Sequence, residues 1–181
     1  MQTNVSGLLK SSIGAERNYE VNGTVNIYGN DCAVYGNISL VRTNRGILIK
    51  ARIKTEVRVQ CSRCLSQFPV PLEFGIEEEY FPLIDVDSGV SLDVPNEPGC
   101  FTIDEKHILD LTEAVRQYAV MAVPMKPLCR PGCRGLCPNC GHNLNQGPCG
   151  CPSQQMDPRW SKLARLLSAV EGSKDNKEGR R

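Results

Sequence analysis

The sequence predicts an α+β fold: an antiparallel β-meander with one packing helix, then a cysteine-rich segment and a short C-terminal helix. Three observations predict it. Apolar and polar residues alternate strictly through much of residues 33–80, which is the period of half-buried strands. A stretch with helical spacing follows and is cut off by Pro124 and Pro127. Six of the ten cysteines then fall within residues 129–151. A length of 181 residues suits one domain with a modest core and a small appendage.

The first strand places Val34, Gly36, Ile38 and Leu40 on one face and Ala33, Tyr35, Asn37 and Ser39 on the other. Thr43-Asn-Arg-Gly46 is a turn signal. The second strand alternates from Ile47 to Gln60, with Ile47, Ile49, Ala51, Ile53, Thr55, Val57 and Val59 facing inward. The third carries Phe68, Val70, Leu72, Phe74, Ile76 and Tyr80 inward, and Pro69 and Pro71 place its start at an edge or bulge.

Opposed residues of an antiparallel pair have position numbers of constant sum and share a face. A turn centred on Asn44–Arg45 gives 89, and one centred on Ser62–Arg63 gives 125. Both are odd, so the meander closes without flipping a face. The same register sets Lys50, Arg52, Lys54 and Arg58 beside Glu73, Glu77 and Glu79, with Arg52 opposite Glu73. Such a strip can track a nucleic-acid backbone, but cross-strand ion pairs on a solvated face explain it better.

An acidic connection, Asp85 to Gly99, leads to Thr102-Ile-Asp-Glu105, which has the form of a capping box. A helix over about 104–123 follows, with Ile108, Leu111, Val115, Tyr118, Ala119 and Ala122 on one stripe and His107 within it. Asp157 and Pro158 open a second short helix carrying Trp160, Leu163 and Leu167. The expected organisation is a β-rich domain at 1–123, a cysteine-rich segment at 124–155, the short helix at 156–170 and a disordered tail at 171–181.

The formal net charge of +1 conceals blocks. Eight basic and four acidic residues lie in 1–60, three and twelve in 61–123, and ten and four in 124–181. A uniformly basic nucleic-acid wrapper is excluded. The start has no basic region followed by an apolar one, and no apolar run approaches the ~18 residues of a membrane span. These readings point to a reducing cytoplasm, where clustered thiols mean metal more often than disulfide.

Cys137-Pro-Asn-Cys140-Gly141 has the form of a zinc knuckle: two intervening residues let one tight turn aim both sulfurs at an ion. Cys149-Gly-Cys151 completes a tetrahedral four-thiolate site with it. Cys61-Ser-Arg-Cys64 caps the second hairpin, and one pair cannot fill a tetrahedral shell. Cys129 and Cys133 are left over, so a second site of Cys61, Cys64, Cys129 and Cys133 follows; Cys129 and Cys133 joining the C-terminal site is the alternative. One or two structural Zn²⁺ ions are therefore expected, so the fold class includes a Cys-rich zinc-binding segment. A redox role for Cys61-x-x-Cys64 lacks the usual helix N-terminus. Cys32 and Cys100 read as packing residues, His142 as solvated beside the knuckle, and His107 as structural. No phosphate loop, His-Glu-x-x-His or nucleophile elbow is present, and four thiolates leave no position for water, so no enzyme activity is expected.

Cys61-x-x-Cys64, the run Leu128-Cys-Arg-Pro-Gly-Cys-Arg-Gly-Leu-Cys-Pro-Asn-Cys-Gly-His-Asn-Leu-Asn145, Cys149-Gly-Cys151 and Asp157-Pro-Arg-Trp160 together resemble the YceD family, domain of unknown function 177. The resemblance implies a ribosome-biogenesis factor that supports accumulation of large-subunit (23S) ribosomal RNA in bacteria and chloroplasts. It implies large-subunit ribosomal RNA or a pre-ribosomal particle as partner, with ribosomal proteins beside it, and neither a membrane nor a small-molecule substrate. Candidate RNA contacts are Arg130, Arg134, Arg159, Lys162 and Arg165, from their local excess of charge. The alternative is a zinc-stabilised protein–protein interaction module, docking through the acidic 77–97 stretch without direct RNA contact.

Overall fold

The alternating segments become the long strands of one mixed sheet in the computed structural model, which describes residues 1–94, 99–152 and 158–160. A short strand β1 (Gln2–Asn4) and one helical turn α1 (Ser6–Leu9) precede β2 (Glu16–Ile27), β3 (Asn30–Arg42), β4 (Ile47–Gln60) and β5 (Gln67–Pro82). Two further short strands, β6 (Phe101–Ile103) and β7 (Ile108–Asp110), lead into helix α2 (Thr112–Ala122). The sheet order is β1-β7-β6-β5-β4-β3-β2, antiparallel except where β6 runs parallel to β5. Tyr80 stacks on Phe101 across that parallel pair, with ring centroids 5.0 Å apart.

Three of the long strands are those expected; β2 is a fourth. Its alternation of Tyr19, Val21, Gly23, Val25 and Ile27 is diluted by Asn, Glu and Arg because it forms a sheet edge whose outward side faces water. The two sheet edges approach each other where Gly23 leaves room for Met1; a Cβ there would lie 2.9 Å from Met1 Cγ. The sheet is thus curled, and its inner face supplies the core. Ile49, Ile53, Val57 and Ile76 are buried there against Leu8, Leu109 and the Ala114, Val115 and Ala119 stripe of α2.

The β3–β4 register has the expected sum, 89, with Val34 opposite Thr55. The β4–β5 register does not have the expected sum of 125: Ile47 faces Tyr80 and Lys54 faces Glu73, a sum of 127. The turn at Cys61–Ser66 is longer than a tight hairpin, closed by Cys61 N–H to Ser66 O at 2.9 Å and Leu65 N–H to Cys61 O at 3.0 Å. A two-residue shift preserves parity, so every inward side chain stays inward. Arg52 consequently faces Gly75 and not Glu73.

The predicted helix over 104–123 begins at Thr112 instead. Asp104 does not cap a helix. Its carboxylate accepts the N–H groups of Lys106 (2.9 Å) and Ile108 (2.6 Å), and this local alternative makes a β6–β7 turn. His107 sits in that turn, with φ of 58°, and not in a helix. The helix ends at Ala122 as Pro124 requires, since Val123 before it is extended.

The described chain forms two compact units, Met1–Leu136 and one that starts at Cys137. Segment 124–136, grouped by the sequence with the rest of the cysteine-rich region, falls in the first. A 3₁₀ turn occupies Pro158–Trp160. The remainder of the expected helix at 156–170 and the tail at 171–181 lie outside the described residues.

Candidate metal centres

Cys61 directly follows β4 and Cys64 lies three residues on in the same turn. Residues 127–136 wrap this turn. Ser62 N–H donates to Pro127 O at 2.9 Å, Arg63 Nη1 to Cys133 O at 3.0 Å, and Cys133 N–H to Arg130 O at 3.1 Å. Gly135, with φ of 75°, passes so close to Arg63 that a Cβ would lie 3.2 Å from its carbonyl oxygen. The result brings Cys61, Cys64, Cys129 and Cys133 together, their sulfurs all within 4.8 Å of one another. Cys61 Sγ lies 3.8 Å from Cys133 Sγ, and Cys64 Sγ 3.6 Å from Cys129 Sγ. A tetrahedron of metal–sulfur bonds about 2.3 Å long has edges of about 3.8 Å, whereas a disulfide is about 2.05 Å. The spacing is that of ligands around an ion. Phe68, Leu128 and Leu136 pack around the group. Cysteine spacing did not flag these three; their signal was only that apolar residues flank the thiols.

The second unit holds Cys137, Cys140, Cys149 and Cys151, also within 4.8 Å of one another. Its knuckle turn is closed by Gly141 N–H to Cys137 O (2.9 Å) and Cys137 N–H to His142 O (2.8 Å), with Gly141 at φ of 72°. His142 contributes its carbonyl to the turn, and the converging group contains four thiols and no histidine. Cys137 is buried, Cys149 and Cys151 are half-buried and Cys140 is exposed, so this group is far more open than the first.

Ionisation is uneven in both groups. The Cys64 backbone N–H, ahead of the opposing effect of burial, holds the Cys61 thiol down at about 6. The Cys140 and Asn139 N–H groups do the same for Cys137, at about 6. Burial and three neighbouring sulfurs push Cys129 up to about 12. Hydrogen bonding to the Cys140 sulfur, then burial, pushes Cys151 up to about 12. Each quartet therefore has one thiol ready as a thiolate and another that crowding keeps protonated. A divalent cation relieves that crowding, because it lets all four sulfurs ionise. Both groups can hold a metal ion.

A sequence model of the family described as large ribosomal RNA subunit accumulation protein YceD matches residues 49–167, a span that includes all eight of these cysteines. The chain belongs to the YceD family. An uncharacterized protein of Mycobacterium tuberculosis is 30% identical over 125 residues, 68% of this chain and 57% of that protein. A protein of Arabidopsis thaliana named large ribosomal RNA subunit accumulation protein YCED homolog 1, chloroplastic, is 21% identical over 202 residues, covering all of this chain and 60% of its own length. The chain thus spans less than two thirds of these relatives. No solved structure matches.

In this YceD-family chain, Arg130 and Arg134 are exposed beside the first thiol group, and Arg159 is exposed in the second unit. Lys162 and Arg165 lie outside the described residues. The basic strip of β4 is partly neutralised by the register: Lys50 pairs with Glu77 at 3.3 Å and Lys54 with Glu73 at 3.5 Å. Glu79 accepts from Thr43 (2.6 Å) and Arg45 (3.4 Å), and Glu78 from the Tyr118 hydroxyl (2.6 Å). Glu97 of the acidic stretch lies outside the described residues. Among the described residues, no helix is long and apolar enough to cross a membrane.

Proposed function

We propose that this chain is a non-enzymatic, cytoplasmic ribosome-biogenesis factor that supports accumulation of large-subunit (23S) ribosomal RNA and contacts that RNA or its precursor particle directly. Two structural zinc ions, one in each thiol quartet, hold the segments that make the contact. The single observation that carries the reading is the presence of two quartets with sulfur spacing suited to a tetrahedral ion within the span matched by the YceD family. Four thiolates would fill each shell and leave no place for a metal-bound water, which favours a structural over a hydrolytic role. Arg130 and Arg134 beside the first quartet, and Arg159, Lys162 and Arg165 after the second, supply local positive charge.

The protein-docking alternative loses support from the carboxylates themselves. Within the 77–97 stretch, Glu77, Glu78 and Glu79 are engaged by Lys50, Tyr118, Thr43 and Arg45, Asp85 by Ser88 and Asp87 by Lys10, while Asp93 is exposed. The test is depletion of the protein in its own cell, with rescue by wild-type, Cys61→Ser or Cys140→Ser chains, read as the 23S to 16S ratio. In-cell crosslinking is read beside it. Loss of 23S RNA on depletion and crosslinks to it are expected. Recovery of a protein partner with no ribosomal RNA crosslinks overturns the direct contact.

A further inference from the structure

The β2–β3 hairpin turns on two residues, Tyr28 and Gly29, with Ile27 facing Asn30. Both turn residues have left-handed φ, 53° and 78°, as a type I′ turn demands. Asparagine, aspartate or glycine adopts the first position at low cost, and a tyrosine is strained there. Packing does not account for the choice, because Tyr28 is 59% exposed. Strain kept on an exposed ring points to a use for the ring.

Beside that ring lies a cleft of about 310 Å³, within the range of small-ligand sites. Its polar lining is Asn30, Arg58, Gln60 and Gln67, and Val123, Pro124 and Pro127 give it an apolar wall. Among the described residues no carboxylate lines it. Arg58 makes no ion pair among them either, whereas Lys50 and Lys54 of the same strand do. Asn30 donates to Tyr28 O at 3.3 Å and Gln60 to Leu65 O at 3.0 Å, so two amides are held in place with their oxygens left as acceptors. A larger cleft of about 600 Å³ adjoins through Asn30 and Arg58; it contains Tyr35, itself 54% exposed, beside Lys54, Asp31 and Glu56, so the carboxylates line this second cleft and not the one beside Tyr28.

An exposed ring, an unpaired guanidinium and fixed amides around an apolar slot match the parts of a nucleotide: base face, phosphate and base edge. An acidic peptide would call for several cations here, and among the described residues that line the cleft there is one. We propose that the Tyr28–Arg58 cleft binds one nucleotide of single-stranded RNA, the base stacked on Tyr28 and the phosphate on Arg58. This rests on the RNA reading above and names a contact surface for it. It also links metal to binding. Pro127, in the cleft wall, is tied to Ser62 between Cys61 and Cys64, so loss of ion from the first quartet loosens the wall.

The experiment is fluorescence anisotropy of the full zinc-loaded chain with a labelled single-stranded RNA of roughly 12 nucleotides and with the matching duplex. Tyr28→Asn suits the turn better, so its unfolding midpoint is expected to stay or rise while its affinity falls. The expected loss for Tyr28→Asn and for Arg58→Gln is roughly five- to a hundredfold, with Tyr28→Phe near wild type and the single strand preferred over the duplex. Wild-type binding that both variants retain in full overturns this cleft and leaves the RNA reading standing. A wild-type chain that binds neither these probes nor purified large-subunit ribosomal RNA overturns both. Arg58→Gln lies on an exposed strand face, so it decides the matter even where a Tyr28 variant misfolds.

Discussion

Cys61 follows a strand and begins a turn whose N–H groups hold its thiol at about 6, while burial and sulfur crowding hold Cys129 at about 12. An ion that needs all four as thiolates therefore binds with release of protons, mostly from the crowded partners. The chain purified in the presence of zinc is expected to carry two equivalents by elemental analysis. Cys61→Ser removes one of them, and because that group is buried within the first unit it costs on the order of 4–5 kcal/mol or more of unfolding free energy. Cys140→Ser also removes one equivalent but leaves the unfolding of the first unit unchanged. A wild-type chain that carries only one equivalent, and keeps it in Cys61→Ser, would dispose of the first centre.

Among the elements, α2 owes its start to Asp110 more than to any residue the capping pattern suggested. The Asp110 carboxylate accepts Thr112 N–H at 2.8 Å and Gln2 Nε2 at 2.9 Å. Burial alone would raise its pKa, yet these hydrogen bonds, led by those from Thr112, bring it down to about 2. A folded pKa below the ordinary 3.8 means the ionised form stabilises the fold above that pH. The contribution is lost as pH falls from about 3.8 toward 2. Asp110→Asn is expected to destabilise the chain by about 1 kcal/mol at pH 7, with the gap to wild type closing near pH 2. Urea unfolding at the two pH values reads it, and comparing two chains cancels the metal loss that acid imposes on both. A gap that persists in acid would mean that the amide fails for reasons of shape and not of charge. The meander offers the complementary lesson: exposed pairs such as Lys54–Glu73 are worth only about 0.2–1 kcal/mol, so apolar burial, and not charge, holds the register.

At the scale of the whole molecule the two thiol groups differ in exposure, and their metals are expected to differ in lability. A competing chelator should take one equivalent quickly, from the group containing exposed Cys140, and the other only as the first unit opens. Cys140→Ser should abolish the fast phase of a colorimetric release assay; survival of that phase would reverse the assignment. Each ion with four thiolates carries a charge of −2, so two of them turn the formal +1 into a net negative protein. On the proposed reading, RNA contact then depends on local groups such as Arg58, Arg130 and Arg134, not on overall charge.

Local periodicity was enough to read three long strands, their shared inner face and the stop of α2 before Pro124. Ligand spacing, with the tetrahedral shell to be filled, was enough to group Cys137, Cys140, Cys149 and Cys151. These features depend on residues near one another in sequence or on coordination number, and both are legible in a string of letters. The rest required tertiary structure. Spacing left open whether Cys129 and Cys133 join that group or Cys61 and Cys64, and the fold decided it. A long turn at Cys61–Ser66 moved the β4–β5 register by two, a shift invisible to parity. Asp104 bonded its own backbone and turned an apparent capping box into a strand turn. Polar β2 became a strand because β3 paired with it, and Tyr28, Arg58 and Pro127 met at one cleft across some hundred residues of chain. Such juxtapositions are set by packing the whole sheet at once, and no local pattern records them.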